Sequence, residues 1–240
     1  VTKRFVIINP PASGFQTTLA PASDYESLLA AAPATLFPWP QLDERSACGM
    51  CYTSGTTGNP KGVLYSHRAL FLHTLSFCLK DVMGLSESDT ILPITPMFHA
   101  NAWGIPHAAI MLGAKLVLPG PQPLPIDNLK LLESEKVTFS CAVPTVWMML
   151  DAIMQREKFD LSSLRMVACG GSAVPLEMMR TYQDRYGVKI LQLWGMTETS
   201  PLGTVAHVRS DMQHLSSEEQ YNIRIKQGSP APGIEIRAIQ

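Results

Sequence analysis

The sequence predicts an α/β protein: mainly parallel sheets with flanking helices. Three observations point there. From Cys48 onward, short apolar runs of strand length alternate with segments of helical periodicity. Three loops rich in Gly, Ser, Thr and Pro, at Thr53–Gly62, Gly170–Pro175 and Trp194–Pro201, each follow one of the strand-like runs, where ligands gather in such sheets. Hydrophobic residues make up 46% of the chain and charged residues only 16%, against about 25% charged in ordinary soluble proteins. That shortfall implies a large buried core, or a face that packs on protein outside this chain.

Taken in order, Phe5–Ile8 is a short strand-like run. Residues 10–47 are rich in Pro, Ala and Ser and read as a connection with one short helix near Tyr25–Ala32. Ser66 is a plausible N-cap, followed by Leu72, Leu75, Leu79, Val82 and Met83 at helical spacing. Thr90–Thr95, Lys115–Leu118 and Val137–Val143 read as strands. Pro144-Thr145 opens a helix with Val146, Met149, Leu150 and Ile153 on one face. Leu164–Cys169 is a further buried strand, a helix runs from Pro175 to Tyr186 with Gly187 at its C-cap, and Lys189–Trp194 is a strand. Ile234–Ile239 alternates like a strand with no turn after it, and both ends are expected to continue in a longer protein.

Composition excludes several classes. The formal net charge of −1, with no Lys/Arg run, gives no footprint for nucleic acid. No apolar stretch approaches the roughly 20 residues that cross a bilayer, and no signal-peptide core stands at the amino end. Five cysteines are an odd number for a disulfide framework, so a reduced, cytoplasmic setting is expected. Cys48-x-x-Cys51 has no second Cys pair at metal spacing and reads as part of a strand leading into a loop. His99 likewise has no metal-like partner at short spacing.

The strongest chemical signal is Tyr52-Thr53-Ser54-Gly55-Thr56-Thr57-Gly58-Asn59-Pro60-Lys61-Gly62. Small residues allow close backbone approach to an anion, backbone N–H groups and four hydroxyls supply donors, and Lys61 supplies charge. Together they describe a polyphosphate cradle. It differs from the usual P-loop, because no Gly precedes the Lys and no Ser or Thr follows it.

This stretch resembles the AMP-forming acyl-CoA synthetases of the adenylate-forming family. The resemblance continues in order through Pro96-Met97-Phe98-His99-Ala100-Asn101-Ala102-Trp103, Pro144-Thr145, Gly170-Gly171-Ser172-Ala173 and Trp194-Gly195-Met196-Thr197-Glu198-Thr199-Ser200-Pro201. Tyr65-Ser66-His67-Arg68-Ala69-Leu70, Asn101-Ala102-Trp103 and Leu118-Pro119-Gly120-Pro121 are most similar to medium- and long-chain fatty acid–CoA ligases.

The resemblance implies the central part of a large N-terminal domain: residues 1–47 as lead-in, 48–227 as nucleotide- and acyl-binding core, and 228–240 as the start of the next β subdomain. It implies that Thr53, Ser54, Gly55, Thr56, Thr57, Gly58 and Lys61 hold the β- and γ-phosphates of ATP. Gly171, Ser172 and Ala173 would line the adenine, with Gln192, Leu193, Trp194 and Gly195 as the opposite wall, largely through backbone. Thr197 would contact the α-phosphate. Glu198 would hold Mg²⁺, with Thr53 as a second oxygen ligand. His99 would sit at the acyl site, and Trp103 would gate the acyl tunnel or simply be core. Met97, Met148, Met149 and Met196 are candidates for softening a pocket around a flexible chain.

The implied reaction activates a carboxylic acid, in the first instance a fatty acid, to an acyl-adenylate and then to a thioester with coenzyme A. Other readings are an aryl-acid ligase, a luciferase-like enzyme, or an ATP-binding module without turnover. The resemblance also implies parts outside these 240 residues, among them a ribose-binding Asp and a C-terminal domain with a catalytic Lys. The chain alone is therefore expected to be inactive. For the longer protein, the resemblance leaves room for a homodimer.

Overall fold

The structure is a computed structural model that describes residues 5–8, 17–53, 58–237 and 239. The chain forms two compact units, Val1–Leu42 and Asp43–Gln240. The first holds a parallel pair, β1 (Phe5–Ile7) and β2 (Ala22–Asp24), and the helix α1 (Tyr25–Ala31). Asp24 caps that helix by accepting from the Ser27 N–H at 2.8 Å. The helix stands where the sequence predicts it. The strand β2 was not predicted, since Ala-Ser-Asp has no strand signature. The second unit begins five residues before the expected boundary at 48. Arg68 explains this: its N–H donates to the Glu44 carbonyl at 2.8 Å, and its guanidinium pairs with the Glu44 carboxylate.

The second unit opens on an antiparallel hairpin, β3 (Ala47–Thr53) and β4 (Lys61–Ser66), which is separate from the main sheet. Helix α2 (His67–Cys78) follows directly, capped by Ser66, whose hydroxyl accepts from the Ala69 N–H. Its buried face is His73, Thr74 and Phe77. The predicted stripe of Leu72, Leu75 and Leu79 lies exposed, and Val82 and Met83 are buried only after the helix has ended.

The main sheet has seven strands. Their order is β11 (Ser229–Pro230), β10 (Leu202–Val205), β9 (Lys189–Gly195), β8 (Met166–Cys169), β7 (Phe139–Ala142), β5 (Thr90–Pro93) and β6 (Lys115–Leu116). From β6 to β9 all pairings are parallel, while β9, β10 and β11 pair antiparallel. The connections are α3 (Ala100–Trp103) and α4 (Ile105–Leu112), α5 (Pro125–Ser134), α6 (Pro144–Met154) and α7 (Leu176–Tyr186). A last helix, α8 (Ser217–Arg224), lies between β10 and β11.

Successive side chains on a strand point to opposite faces. Ile91, Phe139, Cys141, Met166, Ala168 and Leu191 therefore pack in one core with Phe77, Trp103 and Ile105. Leu92, Ala142, Val167, Cys169 and Ile190 pack in the other with Leu129, Trp147, Leu150 and Tyr182. Both faces are thus covered by helices, as a parallel sheet requires. In α6 the buried face is Pro144, Trp147, Leu150 and Met154, rotated from the predicted one, and Met148 and Met149 are exposed.

Of the run Ile234–Ile239 predicted as strand, Ile234–Arg237 is not strand and has no partner strand among the described residues, although Ile234 packs on the first core; Ala238 lies outside the described residues. The CxxC cysteines lie on β3, with Cys48 exposed and Cys51 buried. Burial pushes the Cys48 thiol up, away from the thiolate that redox chemistry needs. No group of three or more metal-ligating side chains occurs among the described residues, and none of their helices is long and apolar enough to cross a membrane.

The amino ends of β5, β7 and β8 are tied together by Asp89, which is buried. Its carboxylate accepts from Thr138 Oγ1 at 2.6 Å, the Ser86 N–H at 2.8 Å and Arg165 Nε at 3.1 Å. Burial pushes this carboxyl up, but the hydrogen bonds from Arg165, Thr138 and Ser86 outweigh it and hold it below the usual range. A carboxyl depressed in the folded state stabilises above its unfolded value of 3.8, and that stability is lost as pH falls through the lower folded value. Asp89→Asn should cost about 2–3 kcal/mol at pH 7, since hydrogen bonds to a charged acceptor carry roughly 1.5–3 kcal/mol. Urea unfolding at pH 7 and pH 3 checks this, and the gap between variant and wild type should narrow at the lower pH.

Candidate active site

Each loop at the carboxyl end of the sheet is shaped by a local constraint. The strand β9 ends at Gly195, where a Cβ would lie 2.0 Å from the Pro201 carbonyl oxygen. Only glycine lets the chain run out and return so closely. Between them, Met196–Pro201 closes on itself: the Met196 N–H donates to the Pro201 carbonyl at 3.0 Å and to Thr199 Oγ1 at 2.9 Å. Thr197–Thr199 forms one 3₁₀ turn, ended by Ser200 at φ 73°. After β8 the chain turns at Gly170 and Gly171, the latter at φ 84°.

On the hairpin, Thr53 and Lys61 face each other across the ladder as the last and first residues of their strands. They flank the predicted cradle. Ser54, Gly55, Thr56 and Thr57 lie outside the described residues, and Gly58 follows at φ 131°.

Beyond β5, four consecutive non-glycine residues, Ala100 to Trp103, adopt φ between 45° and 59° and make a single left-handed turn. The left-handed region costs an L-residue roughly 1–2 kcal/mol. Ala102 is fully buried and Ala100 and Trp103 nearly so. The turn is pinned by Ala102 N–H donating to the His99 carbonyl at 3.1 Å and by the Cys51 thiol donating to Asn101 Oδ1 at 3.4 Å. Gly104 ends it, and a Cβ there would lie 2.6 Å from the His73 ring.

These pieces enclose a cavity of about 620 Å³. Its lining includes Thr53, Lys61, Gly170, Gly171, Thr197 and Glu198, with Leu193 to Met196. Phe77, His99, Ala100, Trp103, Pro201 and Leu202 complete it. The lining thus combines a cation, hydroxyls and a carboxylate with large apolar side chains, the mixture expected of a small-molecule site. Lys61 and Glu198 stand outside every ion pair among the described residues and are free to meet a ligand.

Most of the predicted site residues come together here, from segments more than 140 positions apart in sequence (Thr53 to Glu198). Four of the described ones do not reach the cavity. Gly58, in the predicted cradle, does not line it. Ser172 and Ala173 are exposed beside Gly171. Gln192 is buried with its side chain behind the sheet, where Oε1 accepts from the Val174 N–H at 2.9 Å and Nε2 donates to the Ile225 and Lys226 carbonyls at 3.0 and 2.9 Å. It fastens the 170–174 loop and the end of α8 to β9. Of the four methionines proposed to soften a pocket, only Met196 lines the cavity. Phe77 and Leu202 were missed: Phe77 stands on α2 and Leu202 starts β10, and neither belongs to a motif.

The profile of the AMP-binding enzyme family matches residues 8–239. The chain belongs to this family. It is 44% identical over 237 residues to the medium-chain-fatty-acid–CoA ligase of Ectopseudomonas oleovorans, covering 99% of the chain and 43% of that ligase. It is 47% identical over 197 residues to the long-chain-fatty-acid–CoA ligase of Thermus thermophilus, covering 82% of the chain and 36% of that ligase. The o-succinylbenzoate CoA synthetase of Bacillus subtilis, solved in complex with its acyl-adenylate intermediate, superposes with a TM-score of 0.75 at 25% identity over 92% of this chain and 42% of its own. This AMP-binding chain thus spans less than half the length of these relatives.

Gln192 provides a test of how the site is held. Gln192→Leu keeps the volume but leaves one buried N–H and two carbonyls without their partner. At about 1–3 kcal/mol for a buried unsatisfied group, the variant should lose at least about 2 kcal/mol of stability. Hydrogen exchange at Gly170–Val174 should accelerate, read by mass spectrometry.

Proposed function

We propose that these residues are the nucleotide- and acyl-binding core of a longer ATP-dependent acid–CoA ligase, AMP-forming, that acts on fatty acids. The observation that carries this reading is the one cavity whose lining joins a cation, hydroxyls and a carboxylate to large apolar side chains. The two ligases described above, both named for fatty acids, support the choice of acid. All five cysteines are free thiols, which supports a reducing, cytoplasmic setting.

In this reading Lys61 and the hairpin end meet the terminal phosphates of ATP, and Thr197 donates to the α-phosphate. The acyl chain lies against Phe77, Trp103 and Leu202, with its carboxylate in the same cavity as His99. A carboxylate oxygen attacks the α-phosphorus, the bond to the bridging oxygen breaks, and pyrophosphate leaves with that oxygen. Fatty acids are ionised at neutral pH, so the step needs no general base. It needs alignment and charge neutralisation, for which Lys61, Thr197 and Glu198 are the candidates. The sulfur of coenzyme A then displaces AMP from the acyl carbon to form the thioester.

Mg²⁺ fits the donor set. Glu198 and Thr53 offer one carboxylate and one hydroxyl in the lining of the same cavity, with no all-protein cage among the described residues. That suits an ion that keeps waters and binds phosphate oxygens. When bound, it would neutralise phosphate charge.

In the complete ligase, Lys61→Ala should slow adenylation by about 10–100-fold, the loss of one charge-assisted contact. Pyrophosphate release measures this, and rates equal to wild type would remove Lys61 from the reaction. Trp103→Ala should shift the chain-length profile of acids while ATP affinity stays within about twofold of wild type. If ATP affinity and melting temperature fall together, Trp103 serves only as core.

A further inference from the structure

The cavity's three separate segments share one buried polar connection that none of the proposed roles uses. It centres on Tyr65 in β4, a residue only 2% exposed. Its phenol donates to the Thr197 carbonyl at 2.7 Å, across 132 positions of sequence. On the neighbouring strand of the same hairpin, the Cys51 thiol donates to Asn101 Oδ1 at 3.4 Å. The hairpin that carries Thr53 and Lys61 is therefore tied on one side to the Thr197–Glu198 turn and on the other to the left-handed turn that carries Trp103.

We propose that Tyr65 is a positioning residue: through the Thr197 carbonyl it fixes the turn that aims the Thr197 hydroxyl and the Glu198 carboxylate into the cavity. The metal part of this inference rests on the reading of Glu198 given above. The geometry favours it for two reasons. The 3₁₀ turn is only three residues long, and within it the Thr197 carbonyl accepts only from the Ser200 N–H, at 3.3 Å, so the shorter bond to that oxygen, at 2.7 Å, comes from outside the turn. The phenol that supplies it sits on the hairpin bearing Thr53 and Lys61, so the same bond sets the spacing between the phosphate-facing cation and the turn's carboxylate. Burial, with Cys51 and the Glu198 carboxylate nearby, pushes the Tyr65 phenol up, so it remains a donor across the working pH range.

Tyr65→Phe is the discriminating variant, because it keeps the buried ring and removes only the hydrogen bond. It should be made in the complete ligase beside Glu198→Gln and the double variant. Two measurements are needed. Hydrogen exchange of the ligand-free proteins should show Met196–Ser200 opening about fivefold faster in Tyr65→Phe, the effect of one neutral hydrogen bond. Calorimetry with ATP across a magnesium series should show the magnesium midpoint raised about fivefold in Tyr65→Phe and further in Glu198→Gln, with the two effects less than additive in the double variant. Unchanged exchange at Met196–Ser200 overturns the proposal. So does a magnesium midpoint that moves in Glu198→Gln and stays fixed in Tyr65→Phe. A midpoint that fails to move in Glu198→Gln overturns the metal reading of the turn instead, and the exchange arm then decides the phenol–turn link by itself.

Discussion

Burial of both faces of the parallel ladder from β6 to β9 is the constraint from which the rest of this molecule follows. Ile91, Phe139, Met166 and Leu191 are buried in one core, and Leu92, Val167 and Ile190 in the other. An unpaired polar group on either face would cost roughly 1–3 kcal/mol, so such a ladder has no room for chemistry along its length. Its one buried hydroxyl there, Ser140, is spent on the Leu92 carbonyl at 2.6 Å. Polar groups can meet a ligand only where the strands stop. Gln192, one row before that edge, shows the transition: its amide is still buried, and every bond it makes goes to backbone behind the sheet.

At the edge the constraint changes from side-chain packing to backbone proximity. Gly195 and the Pro201 carbonyl are so close that no Cβ fits between them. The left-handed turn of Ala100–Trp103 crowds three small or flat residues against β3 and α4, and each of its residues carries a conformational cost of roughly 1–2 kcal/mol. Burying the Trp103 indole offsets part of that cost, since a large apolar side chain contributes about 1.5–3 kcal/mol on leaving water. These local costs hold three loops in fixed relation around one cavity, which is what a reaction limited by alignment demands.

Features that arise within a short window of sequence were legible. The helix starting after Ser66, the one ending at Gly187, and the parallel strands themselves all follow from caps, glycines and apolar runs. The gathering of Thr53, Lys61, Gly171, Thr197 and Glu198 was legible through motif resemblance, because each lies in, or at the edge of, a loop that follows a strand. What escaped has long-range causes. The buried face of α2 is His73, Thr74 and Phe77, because the hairpin and α4 decide which side meets the core, while its leucines remain exposed. The strand β2 exists only as a partner for β1. The left-handed turn carries no local glycine signal before Gly104. Tyr65 and Gln192 look like ordinary strand residues until their partners, 132 and 34 positions away at the furthest, are brought beside them.

The lining residues of the cavity differ in what maintains them, and under the proposed reading this bears on how such a site can change its acid. The groups read as meeting the nucleotide are set by backbone: a glycine that permits close approach, a 3₁₀ turn held by its own amides and by the Tyr65 phenol, and a strand register that pairs Thr53 with Lys61. Substituting a side chain near them disturbs chain geometry and, with it, the groups which that geometry aims. The apolar part of the lining comes from the side chains of Phe77, Trp103 and Leu202, which stand on three different elements. In the proposed reading, a change of size at any one of them alters the space for an acyl chain. Apolar pockets discriminate weakly, at about 1–3 kcal/mol per methylene, so graded preferences among chain lengths are the expected behaviour of these residues. The groups proposed for the nucleotide, which depend on charge and fixed backbone geometry, tolerate no such gradation. Under the proposed reading, variation in the acid is therefore carried by a few apolar side chains, while the adenylating geometry is carried by the fold.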